Sequence, residues 1–178
     1  MQTEIIISGF GGQGVLFAGQ LLSYASMDSG LEVTWIPSYG PEMRGGTANC
    51  TVVISDEEIG SPVVRHPEVA LVLNLPSLDK HESSIKPGGL LIVNSSMVNR
   101  EPVRKDIRIV SLPASEIAEK IGDKRMLNMV MLGAMLQNTS VLSLAAIEKA
   151  LHDHLPARHQ RFLKFNIEAL KAGSLYTV

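Results

Sequence analysis

The residues best equipped for chemistry lie in two short glycine-rich segments of the N-terminal third. The first is Gly9-Phe10-Gly11-Gly12-Gln13-Gly14, with the spacing Gly-x-Gly-x-x-Gly. Glycines so spaced permit a tight turn and let an anion approach backbone N–H groups at a helix N-terminus. Gln13 adds an amide that can donate and accept in the same cleft. The second segment is Ser38-Tyr39-Gly40-Pro41-Glu42-Met43-Arg44-Gly45-Gly46-Thr47. It offers a phenol, an acid, a guanidinium and backbone amides on adaptable glycines. Loops that concentrate such groups are more often functional than packing elements. The plain alternatives are a turn held by an internal Glu42–Arg44 pair and glycines that merely let a helix pack on a sheet.

The elements that must position these segments follow from hydrophobic periodicity. The apolar run within Glu4-Ile5-Ile6-Ile7-Ser8 predicts a central strand covered on both faces. Residues 15–27 predict a helix, with Val15, Ala18, Leu22 and Ala25 on one apolar face. A second strand spans 31–36 and stops at Pro37; a third spans 48–55. Buried strands follow at 69–73 and 89–94, with a short helix over 78–85 between them, and a sixth strand spans 107–112. From Ala114 the chain reads as helices over 114–121, 125–138, 144–154 and 157–172. Ser143 suits an N-cap and Gly173 a C-terminal stop. This alternation predicts an α/β fold: a three-layer α/β/α arrangement with a mostly parallel, Rossmann-like sheet and a helical C-terminal third, residues 1–178 forming one domain. In open α/β sheets ligands gather at the carboxyl ends of the strands, so both glycine-rich segments should share one rim.

Composition and spacing exclude several functions. Sixteen Lys and Arg against eighteen Asp and Glu give a net charge of -2, unlike the basic face of a nucleic-acid or membrane-surface binder. An NAD site places an acid at the end of the second strand, but that strand ends Thr34-Trp35-Ile36-Pro37, and Glu32 stands near its beginning. The single cysteine, Cys50, can form neither an internal disulfide nor a four-thiolate cluster site, and its β-branched surroundings suit a buried apolar role. His152 and His154 are two apart and face different directions, so with His159 they predict no metal site; His66 and His81 read as surface residues. The most apolar run, 126–136, is about half a bilayer span and is broken by Asn128. With no secretory leader pattern, a cytoplasmic location is expected. Met126, Met129, Met131 and Met135 predict a buried helix, any leftover face of which would suit a subunit interface.

Taken together, Gly-Phe-Gly-Gly-Gln-Gly-Val and Tyr-Gly-Pro-Glu-Met-Arg-Gly-Gly-Thr-Ala resemble the gamma subunit of the 2-oxoacid:ferredoxin oxidoreductases. The similarity continues through Val52-Val53-Ile54-Ser55, Pro67-Glu68-Val69-Ala70 and Pro87-Gly88-Gly89 into Asn128-Met129-Val130. The resemblance implies a component of an enzyme that oxidatively decarboxylates a 2-oxoacid on thiamine diphosphate, sends electrons through iron–sulfur clusters to ferredoxin and transfers the acyl group to coenzyme A. It implies that thiamine diphosphate, its magnesium ion and the clusters belong to partner chains, alpha and beta with a ferredoxin-like delta chain, and that this chain alone holds none. The nearest approach to a thiamine metal motif, Gly122-Asp123-Lys124, lacks its second glycine. Pro-Glu-Met-Arg-Gly-Gly-Thr is most similar to the 2-oxoglutarate type, with pyruvate or another 2-oxoacid, and a nucleotide-binding or purely structural subunit, as the alternatives. The residues expected to line a shared site are Gly11, Gly12, Gln13, Gly14, Tyr39, Glu42, Arg44, Gly45 and Gly46, where they would hold anionic parts of coenzyme A or wall the thiamine site.

Overall fold

The isoleucine run forms the middle of β1 (Gln2–Phe10) in a computed structural model that describes residues 1–39 and 47–178. The other strands are β2 (Glu32–Tyr39), β3 (Thr47–Ser55), β4 (Val69–Val72), β5 (Leu90–Asn94) and β6 (Arg108–Leu112), in the order β2-β3-β1-β4-β5-β6. Strands β1, β4, β5 and β6 pair in parallel, while β3 runs antiparallel to both β1 and β2. The sheet is therefore mixed around a parallel core. Residue 37 does not stop the second strand, as the sequence suggested. β2 passes through Pro37, opposite Cys50, because it is an edge strand, where a missing N–H is tolerated.

Alternation along the strands divides the core. Ile5, Ile7, Cys50, Val52, Leu71 and Ile92 face the larger cluster, built with α1 (Val15–Asp28), α3 (Ala114–Ile121), α4 (Leu127–Asn138), α5 (Leu144–His154) and α6 (Leu163–Gly173). Ile6, Ala70, Val72, Leu91 and Val93 face a smaller cluster completed by Leu78 of α2 (Leu75–His81), Ile85, Val98 and Ile107. Three unequal layers result. Met129, Met131 and Met135 of α4 and Met126 just before it are all buried within the chain, and among the described residues Leu127–Leu136 leave no face of α4 over for a partner.

Several boundaries shift for local reasons. The short helix begins earlier, at Leu75, because Asn74 caps it by accepting the Ser77 N–H, and it tightens into a 3-10 turn at Glu82–Ser84. The 125–138 segment opens with a 3-10 turn, Lys124–Met126, and the 157–172 segment with another, Ala157–Phe162. Ser143 caps α5 as expected, its Oγ accepting the Ala146 N–H at 3.1 Å. Gly173 does not stop the last helix as a left-handed residue beyond its end. It is the last residue of α6, without a positive φ, and a Cβ there would overlap the Val130 carbonyl, just as one at Gly133 would overlap the Leu170 carbonyl. Among the described residues, no helix is long and apolar enough to cross a membrane.

Candidate functional site

Antiparallel β3 brings the strand ends that flank residues 40–46 to the rim of the first glycine turn. Phe10 pairs with Thr47 and Tyr39 with Ala48, so the strand ends that bracket residues 40–46 stand beside the first glycine turn. Glu42, Arg44, Gly45 and Gly46 lie outside the described residues; Tyr39 closes β2 at this rim. Glu32 pairs with Ser55 at the opposite end of the sheet, where no carboxylate could reach a ribose at the turn.

The turn itself needs glycine at two positions. Gly12 and Gly14 have φ of 95° and 75°, the left-handed region that residues with a Cβ rarely adopt. Gly14 is the N-cap of the 14-residue α1, and no side chain caps that end, so its first N–H groups and the positive end of the helix dipole remain available. Gln13 was expected to present its amide to the cleft, and half of that amide is already occupied. Its Oε1 accepts the Phe10 N–H at 2.6 Å and the Asn74 amide at 3.2 Å, while its Nε2 lies 3.1 Å from Met97 Sδ. Gln13 thus bridges the ends of β1 and β4, the crevice a dinucleotide would enter.

Beside Gly12 and Gly14 opens a cavity of about 440 Å³. Phe17, Met126 and Phe162 supply apolar wall, and Arg125, Arg158 and His159 supply cationic or titratable wall. Arg125 is held at 2.9 Å by Asp123, whose carboxyl that hydrogen bond keeps below the usual range. The Arg125 guanidinium lies 4.4 Å from the Phe162 ring centre, and that of Arg161 lies 4.7 Å from the same ring. Arg158 donates to His159 at 3.0 Å. Cations and a helix N-terminus beside an aromatic wall suit an organic anion with an apolar part. Sequence reading missed Arg125, Arg158, His159 and Phe162. They come from the helical third, over a hundred residues from the turn, and the run Arg158-His159-Gln160-Arg161-Phe162 was the only local signal.

The remaining candidates are structural. Cys50 is buried with Sγ 3.6 Å from the Val15 carbonyl, and desolvation pushes its thiol up to about 11, so it stays protonated at neutral pH. His66 is exposed as expected. His81 is not: it is buried, its Nε2 has no partner, and desolvation lowers its pKa to about 4. His152 faces Asp153, whereas His154 pairs with Asp28 and stacks on Tyr24, and no group of metal-ligating side chains forms among the described residues.

Residues 4–176 match the family model described as pyruvate ferredoxin/flavodoxin oxidoreductase. The chain is 39% identical over 180 residues to the 2-oxoglutarate synthase subunit KorC of Methanothermobacter marburgensis, covering 97% of this chain and 95% of that protein. It is 38% identical over 177 residues to the ketoisovalerate oxidoreductase subunit VorA of Methanothermobacter thermautotrophicus, but spans only 36% of that longer relative. Among solved structures, the gamma subunit of a keto/oxoacid ferredoxin oxidoreductase from Geobacter sulfurreducens matches with a TM-score of 0.86 and 31% identity, over 98% of this chain and 95% of that one. The 2-oxoglutarate:ferredoxin oxidoreductase from Magnetococcus marinus, with 2-oxoglutarate, coenzyme A and succinyl-CoA bound, matches with a TM-score of 0.87 and 25% identity, over 98% of this chain and 30% of that one.

Proposed function

Because this chain belongs to the pyruvate ferredoxin/flavodoxin oxidoreductase family, we propose that it is the gamma component of a cytoplasmic, multi-subunit 2-oxoglutarate:ferredoxin oxidoreductase. The end-to-end likeness to KorC favours 2-oxoglutarate, whereas the likeness to VorA keeps a branched 2-oxoacid as the second reading. In this reading, thiamine diphosphate and iron–sulfur clusters on alpha, beta and ferredoxin-like delta chains supply the decarboxylation and electron transfer.

This chain's own part is to bind and orient coenzyme A. One observation carries the assignment: the open glycine turn at the N-terminus of α1 borders a cavity whose walls are both cationic and aromatic. The N–H groups at the turn would donate to a phosphate, Arg158 would add a charge-assisted bond, and Phe162 would cover an apolar part. From the adjoining loop, Tyr39, Glu42, Arg44, Gly45 and Gly46 would close the site toward the partner chains. Arg44 is the one Lys or Arg in the sequence of residues 38–47, and a guanidinium grips phosphate or carboxylate through two parallel bonds that Lys cannot reproduce.

The test is Arg44→Ala in the reconstituted complex. A lost charge-assisted bond is worth about 1.5–3 kcal/mol, so turnover at limiting coenzyme A should fall at least about tenfold, with Arg44→Lys recovering only part. Gel filtration must show the complex whole; a dissociated complex would move Arg44 to a subunit interface. An intact complex with unchanged kinetics at every coenzyme A concentration would remove it from the site.

A further inference from the structure

Three asparagines lace the carboxyl rim of the sheet, and all are buried: Asn74, Asn94 and Asn128. Asn94 ties β5 to its neighbours, its Nδ2 donating to the Leu73 carbonyl at 3.2 Å and to Ser115 Oγ at 3.0 Å. The other two close on the glycine turn. Asn74 caps α2 with its Oδ1 and donates its Nδ2 to Gln13 Oε1, the atom that receives the Phe10 N–H. Asn128 donates its Nδ2 to the Gly14 carbonyl at 3.0 Å, and its Oδ1 accepts the Met129 N–H at 2.9 Å.

Asn128 is not explained by stability alone. It sits in the first turn of a helix that is otherwise buried and apolar, where a polar amide is costly to desolvate. Its target does not need it either, because the Gly14 carbonyl already accepts the Ala18 N–H at 3.0 Å. What the second bond adds is orientation. A peptide unit is planar and trans, so holding the Gly14 carbonyl also fixes the Val15 N–H, which points the opposite way, out of the N-terminus of α1. Similarly, the Gln13 N–H bonded to the Phe10 carbonyl at 3.1 Å aims the Gly11 N–H away from that carbonyl. Gly14 has no room to drift, since a Cβ there would overlap the Asn128 amide.

We propose that Asn128 is a positioning residue that orients the turn's free N–H groups toward a bound phosphate of coenzyme A, with Asn74 holding the other side of the turn through Gln13. The proposal rests on the reading that this turn takes an anionic part of coenzyme A.

The decisive comparison is Asn128→Asp against Asn94→Asp in the assembled enzyme. The first keeps shape and the acceptor for the Met129 N–H but loses the donor to Gly14; the second makes the same chemical change away from the turn. Asn128→Asp should raise the KM for coenzyme A at least about tenfold while kcat stays within about twofold, and Asn94→Asp should leave that KM unchanged. A merely structural role would lower the melting temperature without this split. Should Asn128→Asp fail to fold, Asn128→Ser, which keeps a short donor, should show a smaller rise of the same kind. A wild-type KM in a folded Asn128 variant, while Arg44→Ala still weakens coenzyme A, would overturn this inference and leave the binding reading standing. Unchanged coenzyme A kinetics in both would overturn the reading itself.

Discussion

His81 shows how one buried side chain couples folding to pH. Burial, and secondarily the charge of Lys80, holds its pKa at about 4, below the ordinary value of 6.5. Between these values the unfolded chain binds a proton that the native chain refuses. Stability should therefore be unaffected by this group above pH 6.5 and decline as pH falls from 6.5 to 4, by about 1–3 kcal/mol. Asp56, Asp106, Asp123 and Asp153 have carboxyls held below the ordinary value by hydrogen bonds from the N-terminus, Arg104, Arg125 and Lys149, so the stabilisation they give is lost only as pH falls below the ordinary carboxylate range. Urea unfolding at pH 7.5 and 4.5 checks this. His81→Leu should flatten the difference, and an equal pH dependence in the variant would refute the assignment.

Helices α4 and α6 approach backbone to backbone, where Gly133 and Gly173 each meet the backbone of the other helix. Alanine normally stabilises a helix relative to glycine by about 0.5–1 kcal/mol. Here the added methyl would collide with a carbonyl, and two packed helices would have to separate, an overpacking effect of about 1–3 kcal/mol. Gly133→Ala should thus lower the melting temperature, although neither glycine has a positive φ. Gly60→Ala, at a position with open space, should be nearly neutral. Equal melting temperatures for the two variants would mean that the α4–α6 contact yields easily. This contact also bears on the site, because Asn128 lies in the first turn of α4 and Arg125 in the 3-10 turn just before it.

For the whole molecule, the division of labour in the proposed enzyme predicts an inert isolated chain. Purified free of partner subunits, it should show no 2-oxoacid oxidation with any low-potential acceptor; turnover surviving rigorous removal of partners would contradict the gamma assignment. NAD and NADP should bind weakly or not at all. Glu32 stands at the wrong end of β2, and Gln13 bridges the crevice at the ends of β1 and β4. Micromolar affinity by calorimetry would revive a nicotinamide-dependent role.

Much of this architecture was legible from local pattern. The isoleucine run of β1, the glycine turn and the helix after it are encoded by neighbours within a few residues, as are Ala114–Ile121, Leu144–His154 and the Ser143 cap. The rim position of the strand ends that flank residues 40–46 was legible too, because a second strand that leaves from the same rim as the first must end beside the glycine turn. Tertiary structure decided the rest. Pro37 reads as a strand breaker until β2 proves to be an edge, and Gly173 reads as a left-handed cap until it proves to be the last helical residue, packed against α4. His81 looks like a surface residue because nothing local shows that its helix turns it inward. The cavity wall of Arg125, Arg158, His159 and Phe162, and the Asn128 bond to Gly14, join residues more than a hundred positions apart. Spacing along a chain reports contacts within a helix turn or a strand pair, and only packing brings distant segments into one site.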